Sequence, residues 1–241
     1  MIVDVHNHLG EPWGTRLHQT PDELLVKMDR ARIDKAVVFP FPFGNFDNDY
    51  VARAVRAHPD RFIGFVMASP FMKEDLIDVI RHYCTDEGFR GVKLHPAAHG
   101  YKLSETGVCG EILALCSELD MPILVYTGDE LYATPFQTSI AAQAYPDVTF
   151  IMAHSGFMMQ TNDAVLVAQR CPNVYLEHSS GISLGVTQSV NAVGAGRVLL
   201  GSDTPHMDFE VELFKIEITV PDPVDRSLVL GGNAARLLGL N

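Results

Sequence analysis

What most limits the fold is an alternation. Short apolar runs rich in β-branched residues occupy 1–9, 35–41, 61–68, 91–95, 122–126, 148–154, 174–178 and 197–203, and longer segments with apolar residues at helical spacing lie between them. The repeat is about thirty residues, the length of a strand, a crossover helix and the return to a parallel neighbour. Helices are expected at 21–33, 48–58, 73–85, 108–119, 135–144, 161–170 and 184–193. The first carries its own start signal: Thr20 as N-cap, Pro21 at the first helical position and Glu23 in the first turn, ahead of Leu24, Leu25, Met28, Ala31 and Ile33. Turn residues such as Asp120-Met-Pro122 and Pro146-Asp147 stand just before strands. Eight strand-like runs with no linker or shift of composition predict one domain over 1–241, a closed parallel (β/α)8 barrel rather than an open doubly wound sheet, with 233–240 as a final helix.

The opening strand, Met1-Ile-Val-Asp-Val-His-Asn-His-Leu9, carries His6 and His8 two residues apart. Strand side chains repeat with a period of two, so both imidazoles are expected on one face, with Asp4 one step deeper. Two adjacent neutral imidazoles suit a divalent transition metal, zinc first and manganese second, although the same pattern also fits two histidines framing Asn7 in a buried strand. Chemistry in a parallel barrel gathers at the carboxyl ends of the strands. Those ends carry Lys93 and His95, His154, Glu177 and His178, and Asp203 with His206. Of the ten histidines, His58 and His82 fall in expected helices and His18 and His99 in loops, while the other six sort onto this one rim.

Individual roles follow from what each group would need. Asp203 ends an apolar run, and a carboxylate there requires a partner: the metal held by the histidine pair, or the N-terminus of a following helix. His154 follows the apolar Phe150-Ile-Met-Ala153 and is read as a metal ligand or a proton donor to substrate. Lys93 and His95 share a strand face. A lysine inside a barrel must be paired, either by a substrate carboxylate or by Asp4 or Glu177. His178, His206 and His99 are placed further out, lining substrate or supporting the inner groups.

Composition narrows the partner. A formal net charge of -12 excludes the basic footprint of a nucleic-acid binder and disfavours an anionic membrane surface, which leaves a small molecule as substrate. No apolar run approaches the roughly 20 residues of a membrane span. Cys84, Cys109, Cys116 and Cys171 form no C-x-x-C and read as reduced thiols, and the chain opens on a strand rather than a signal segment, so a cytoplasmic protein is expected. A homo-oligomer is compatible with all of this. Trp13, Phe43, Phe46, Tyr101, Phe157, Met158 and Met159 lie in loops after strands, giving a mouth apolar enough for a ring.

Five blocks carry a resemblance: Asp4-x-His6-x-His8, Phe89-Arg-Gly-Val-Lys-Leu-His-Pro96, Ile151-Met-Ala-His-Ser-Gly156, Leu200-Gly-Ser-Asp-Thr-Pro205 and Asn233-Ala-Ala-Arg-Leu-Leu. In this order they resemble the amidohydrolase superfamily, in the group that includes aminocarboxymuconate-semialdehyde decarboxylase and the resorcylate decarboxylases. The resemblance implies a TIM barrel of the metal-dependent hydrolase type, with a divalent metal on His6, His8 and Asp203, and with His154 ligating metal or polarising substrate. One position departs. Relatives place a ligating histidine where this chain has Tyr126, in Pro122-Ile-Leu-Val-Tyr126-Thr-Gly128. A phenol with a pKa of about 10 is a poor ligand, so His154, His95 or water takes its place, or affinity falls.

The leading expectation is hydrolysis of a small ester, lactone or amide by a metal-activated water. Asp203 would take the proton, and His154 or Tyr126 would stabilise the developing oxyanion. The alternative is non-oxidative decarboxylation of an unsaturated or aromatic acid, with Lys93 and Arg16 as carboxylate partners; the shorter chain tilts the reading towards hydrolysis. A third reading is a barrel that, without the fifth-strand histidine, only binds a ligand.

Overall fold

The period of two along each strand sorts side chains into two layers and so builds the barrel. A computed structural model describes all residues except Trp13, Thr15, Arg16, Asn45, Lys73, Glu74 and Asn241. Its strands are β1 (Val3–Leu9), β2 (Lys35–Pro40), β3 (Phe62–Gly64), β4 (Val66–Ala68), β5 (Val92–Leu94), β6 (Ile123–Tyr126), β7 (Phe150–Ala153), β8 (Val174–Glu177) and β9 (Val198–Leu199). They pair in parallel in the orders β1-β2-β3 and β4-β5-β6-β7-β8-β9. β3 and β4 are one barrel strand interrupted at Phe65, so the expected run 61–68 serves β2 with its first half and β5 with its second. The Phe65 N–H donates to Val38 O at 3.0 Å and keeps the two halves in line. The ring closes where Val5 N–H donates to Leu200 O at 3.0 Å, Asp203 N–H to His6 O at 2.8 Å and His8 N–H to Thr204 O at 2.8 Å. The result is the expected (β/α)8 barrel.

Around it run α1 (Pro21–Ala31), α2 (Asn48–Ala57), α3 (Leu76–Thr85), α4 (Pro96–His99), α5 (Thr106–Glu118), α6 (Pro135–Ala144), α7 (Thr161–Arg170), α8 (Ser183–Val193), α9 (Phe209–Thr219), α10 (Pro223–Ser227) and α11 (Asn233–Leu238). α1 starts at the expected cap, with Thr20 Oγ1 accepting from Glu23 N–H and Glu23 accepting from Thr20 N–H, a reciprocal capping box. The helix expected from 73 is described from Leu76 onward; residues 73 and 74 lie outside the described residues, as do Trp13 and Arg16. Among the described residues no helix is long and apolar enough to cross a membrane, and the four cysteines are free and buried.

Three helices were not anticipated, α4, α9 and the short α10. α4 is a single turn. α9 is inverted: Val211, Phe214 and Ile218 face solvent while Glu212 and Lys215 are buried, so its polarity gives no amphipathic signal for a soluble barrel helix.

Val38, Val92, Leu94, Val125, Met152 and Leu176 point outward beneath the helices, and Val37, Phe39, Met67, Leu124, Ile151 and Leu199 fill the interior. The same alternation puts Lys93 and Glu177 inside. Val3 and Val5 also belong to the interior cluster, so strict alternation would turn His6 and His8 outward. A bulge prevents this: the β1–β2 register slips by one residue between Asp4 and Asn7. Asn7 wedges it open, its Nδ2 donating to Val37 O at 3.1 Å and Asp4 Oδ1 at 2.8 Å while its Oδ1 accepts from Thr204 Oγ1 at 2.9 Å. Asp4 Oδ1 also accepts the N–H groups of His6 and Ser202 at 3.0 and 3.2 Å. The expectation that Asp4 extends the histidine face is therefore corrected: Asp4 braces the bulge.

Candidate metal centre and active site

At the carboxyl end of the barrel, His6 Nε2 and His8 Nε2 lie 3.2 and 3.1 Å from the same oxygen, Asp203 Oδ1. The protons on these rings are assigned by their other nitrogens. His8 Nδ1 donates to Pro40 O at 3.2 Å, and His6 Nδ1 donates to Glu177 Oε2 at 2.9 Å. His154 Nδ1 likewise faces the carbonyl of Ser179 at 3.0 Å. Each ring spends its N–H on an outer acceptor and turns a lone pair inward, the arrangement of histidines that bind metal.

Burial holds His6 and His8 below the usual imidazole range and pushes His154 down to about 4, so all three are neutral near pH 7. Burial opposes ionisation of Asp203, but the attraction of His6, His8 and His154 in their protonated forms, with the hydrogen bond from His8, outweighs it and keeps this carboxyl well below its ordinary range. His6 Nε2, His8 Nε2 and Asp203 Oδ1 thus converge, and such an N2O donor set suits a divalent metal. Among the described residues, His6, His8 and Asp203 form one group of metal-type ligands, and His6, His154 and Glu177 another. The second is already saturated: Glu177 Oε2 accepts from His6 Nδ1, Ser179 Oγ and His154 N–H at 2.9, 3.0 and 3.3 Å, and its Oε1 accepts from Ser179 N–H. Glycine is required beside it, because a Cβ on Gly201 would lie 2.5 Å from Glu177 Cδ.

Lys93 is fully buried, with Nζ 3.3 Å from His6 Nε2 and 4.8 Å from the centre of the Phe39 ring. Burial pushes it down to about 8 against the pull of Asp203 and Glu177. Neither Asp4 nor Glu177 pairs with it, since one braces the bulge and the other is saturated, so its charge faces the cavity.

That cavity, about 480 Å³, is lined by His6, His8, Lys93, His95, Tyr126, His154, Asp203 and His206 among others. Parallel ring pairs make its walls, His95 on Tyr126 at 4.0 Å and His154 on Phe157 at 4.3 Å, and Phe41 backs His8 from behind at 4.8 Å. A larger open cleft of about 930 Å³, between the loops after β1 and β2, adjoins it at Phe43 and holds neither ligand group. Tyr126 donates its phenol to Glu130 at 2.7 Å, and burial with that carboxylate holds its pKa far up, which makes it a neutral wall residue. His95 Nδ1 accepts from Ala98 N–H at 3.1 Å and caps α4. His178 is not in the cavity; its ring turns outward to Ser189 Oγ at 2.7 Å. The partners that sequence reasoning missed are Phe41, Ser179 and Glu130. The five non-glycine residues at this end with left-handed backbone, His154, Ser155, Phe157, Ser180 and Asp203, gave no sequence signal.

The family model described as Amidohydrolase matches residues 3–240. A search of curated protein sequences finds no match. Among solved structures, an uncharacterised TIM-barrel protein from Bordetella bronchiseptica is similar at 19% identity and TM-score 0.81 over 99% of both chains. 2,6-Dihydroxybenzoate decarboxylase from Rhizobium is similar at 16% identity and TM-score 0.78, over 99% of this chain and 98% of that one. A dihydroxybenzoic acid decarboxylase from Polaromonas, with bound manganese and the inhibitor 2-nitroresorcinol, is similar at 17% identity and TM-score 0.79, over 100% and 97%. Alignments spanning nearly the whole of these decarboxylases remove the length argument that favoured hydrolysis.

Proposed function

The chain belongs to the amidohydrolase family, and from that premise we propose that it is a divalent-metal-dependent enzyme that decarboxylates a small aromatic or unsaturated acid without an oxidant. The observation that carries this reading is Lys93, a buried cation with no carboxylate partner among the described residues, opening onto an aromatic-walled cavity beside the His6–His8–Asp203 group. The decarboxylases of the same fold support it.

His6, His8 and Asp203 would hold the metal, zinc or manganese, which supplies Lewis acidity to a substrate oxygen. Lys93 orients the acid by charge. The rings of Tyr126, Phe157 and Phe43 flank a planar substrate and exclude water, so the carboxylate about to leave loses solvation. Asp203, ionised at rest, accepts a proton from the incoming substrate and returns it to the carbon that releases carbon dioxide. His154 stays neutral through its bond to Ser179 and accepts a hydrogen bond from the substrate.

Hydrolysis of a small ester, lactone or amide is the second reading, supported by a carboxylate within 3.2 Å of both imidazoles and so placed to deprotonate water. The test is carbon dioxide release from a panel of hydroxybenzoates by protein loaded with zinc or manganese, against acid release from lactones and esters. Acid release without carbon dioxide would overturn decarboxylation. Failure to retain either metal, with neither product formed, would favour a barrel that only binds a ligand.

A further inference from the structure

We propose that Lys215 and Glu212, on the outer helix α9, are positioning residues that lock the turn at 178–181 and through it hold Asp203, with the Glu177 acceptor of His6, in the geometry that binds the metal and His154 in the tautomer that meets the substrate. The inference rests on the metal-dependent reading above.

It starts from the inverted helix. Val211, Phe214 and Ile218 are 49%, 61% and 57% exposed, while Glu212 and Lys215 are 2% and 8% exposed. A buried acid–base pair is not a stabiliser in its own right, since apolar residues of the same volume commonly do as well. What this pair does is satisfy a turn. Lys215 Nζ donates to His178 O at 2.7 Å, to Gly181 O at 3.1 Å and to the Glu212 carboxylate, which uses all three of its donors. Glu212 Oε1 accepts from Ser180 N–H at 3.2 Å. Three backbone groups of one short turn are thus held by two side chains of a helix more than thirty residues away in sequence.

The turn in question carries the supports of the metal centre. Ser179 O and Oγ each lie 3.0 Å from His154 Nδ1, and Ser179 Oγ and N–H both donate to Glu177, the acceptor for His6. Ser180, held in left-handed backbone, donates its Oγ to Asp203 Oδ2 at 3.4 Å. Without Lys215 the Gly181 carbonyl loses its side-chain donor and the His178 carbonyl keeps only the Gly181 N–H at 3.1 Å, so the turn relaxes towards other donors. His154 then loses the acceptor that sets its tautomer, and Asp203 loses the donor that sets its rotamer. Neither Lys215 nor Glu212 touches the three proposed ligands.

The test is Mn²⁺ affinity of the purified, metal-stripped full chain by calorimetry, together with the visible spectrum of the Co²⁺ form, which reports ligand geometry. Lys215→Met is expected to weaken Mn²⁺ binding by about tenfold or more, the usual effect of removing an outer support from a metal site, and to shift the Co²⁺ bands. Lys215→Arg, which keeps the donors, is expected to restore most of both. Ile80→Val, a core change in α3 remote from the site, lowers the melting temperature but leaves affinity and spectrum at wild-type values. If Lys215→Met does not fold, Glu212→Leu is judged by the same two readouts. Wild-type affinity and spectrum in either soluble variant overturn the proposal while the metal reading stands. Failure of the wild-type protein itself to bind Mn²⁺ or Co²⁺ removes the metal reading and this inference with it.

Discussion

Replacing Glu177 by Gln tests the metal centre without replacing a proposed ligand. The Glu177 carboxylate receives four donors on two oxygens: His6 Nδ1, Ser179 Oγ and His154 N–H on one, and Ser179 N–H on the other. An amide of the same shape has one acceptor oxygen. In its better orientation it keeps the cluster around His6 and turns its NH2 group against Ser179 N–H; in the other it faces three donors. The His6 bond also loses its charge assistance, and hydrogen bonds to charged groups contribute about 1.5–3 kcal/mol. Loss of such an outer carboxylate typically lowers metal affinity 10–100-fold, which is about 1.4–2.7 kcal/mol. Stability of the metal-free protein should change by less, about 1–2 kcal/mol, because a fully buried carboxylate is itself costly to desolvate and the amide removes that cost. Calorimetric Mn²⁺ titration and urea melts of the metal-free protein measure the two effects separately. Unchanged affinity alongside a loss of stability would refute the reasoning, since it would make Glu177 a structural group and nothing more.

Other perturbations separate the remaining roles. Tyr126→Phe should leave Mn²⁺ affinity within about threefold, because the phenol is spent on Glu130 and a neutral phenol is a weak ligand; a tenfold loss by titration would make its oxygen a ligand. Asn7→Ala removes the wedge of the β1 bulge, whose amide makes buried bonds to Asp4, Val37 and Thr204, and should cost about 2–4 kcal/mol in a urea melt; a loss below about 1 kcal/mol would show that the bulge holds itself. Acid should unfold the metal-free protein early. Burial lowers His154 and His178 to about 4 from an unfolded value of 6.5, so between those values the unfolded chain binds more protons, and stability fully present above pH 6.5 is lost as pH falls towards 4. The loss is roughly 3 kcal/mol per group, and melting temperatures that stay flat from pH 7 to 4.5 would contradict it.

How far the chain can be read before folding depends on the range of the interaction. The start of α1 was legible because Thr20 and Glu23 complete each other within one turn, and α6 and α7 were legible from their apolar spacing. The strand pattern was legible for the same reason. α9 was not, because Glu212 and Lys215 share its buried face with Phe209 and Ile216 while Val211, Phe214 and Ile218 meet solvent. The period of two placed Lys93 and Glu177 inside the barrel, yet applied to β1 it mistook Asp4 for a neighbour of the histidine pair, since a one-residue bulge leaves no mark in a hydropathy pattern.

The sequence by itself determined the alternation, hence the barrel, and with it the rim on which His6, His8, Lys93, His154 and Asp203 would gather; each of these rests on local periodicity and on where polar residues end apolar runs. Only the tertiary structure decided which nitrogen each histidine turns inward, that Lys93 has no carboxylate partner among the described residues, that His178 faces Ser189, and that the Tyr126 phenol donates to Glu130. His6 and Glu177 are separated by 171 residues, and His8 and Asp203 by 195. Contacts at that range are set by closure of the β1–β9 seam and by competition among buried donors and acceptors, quantities that no window of sequence contains.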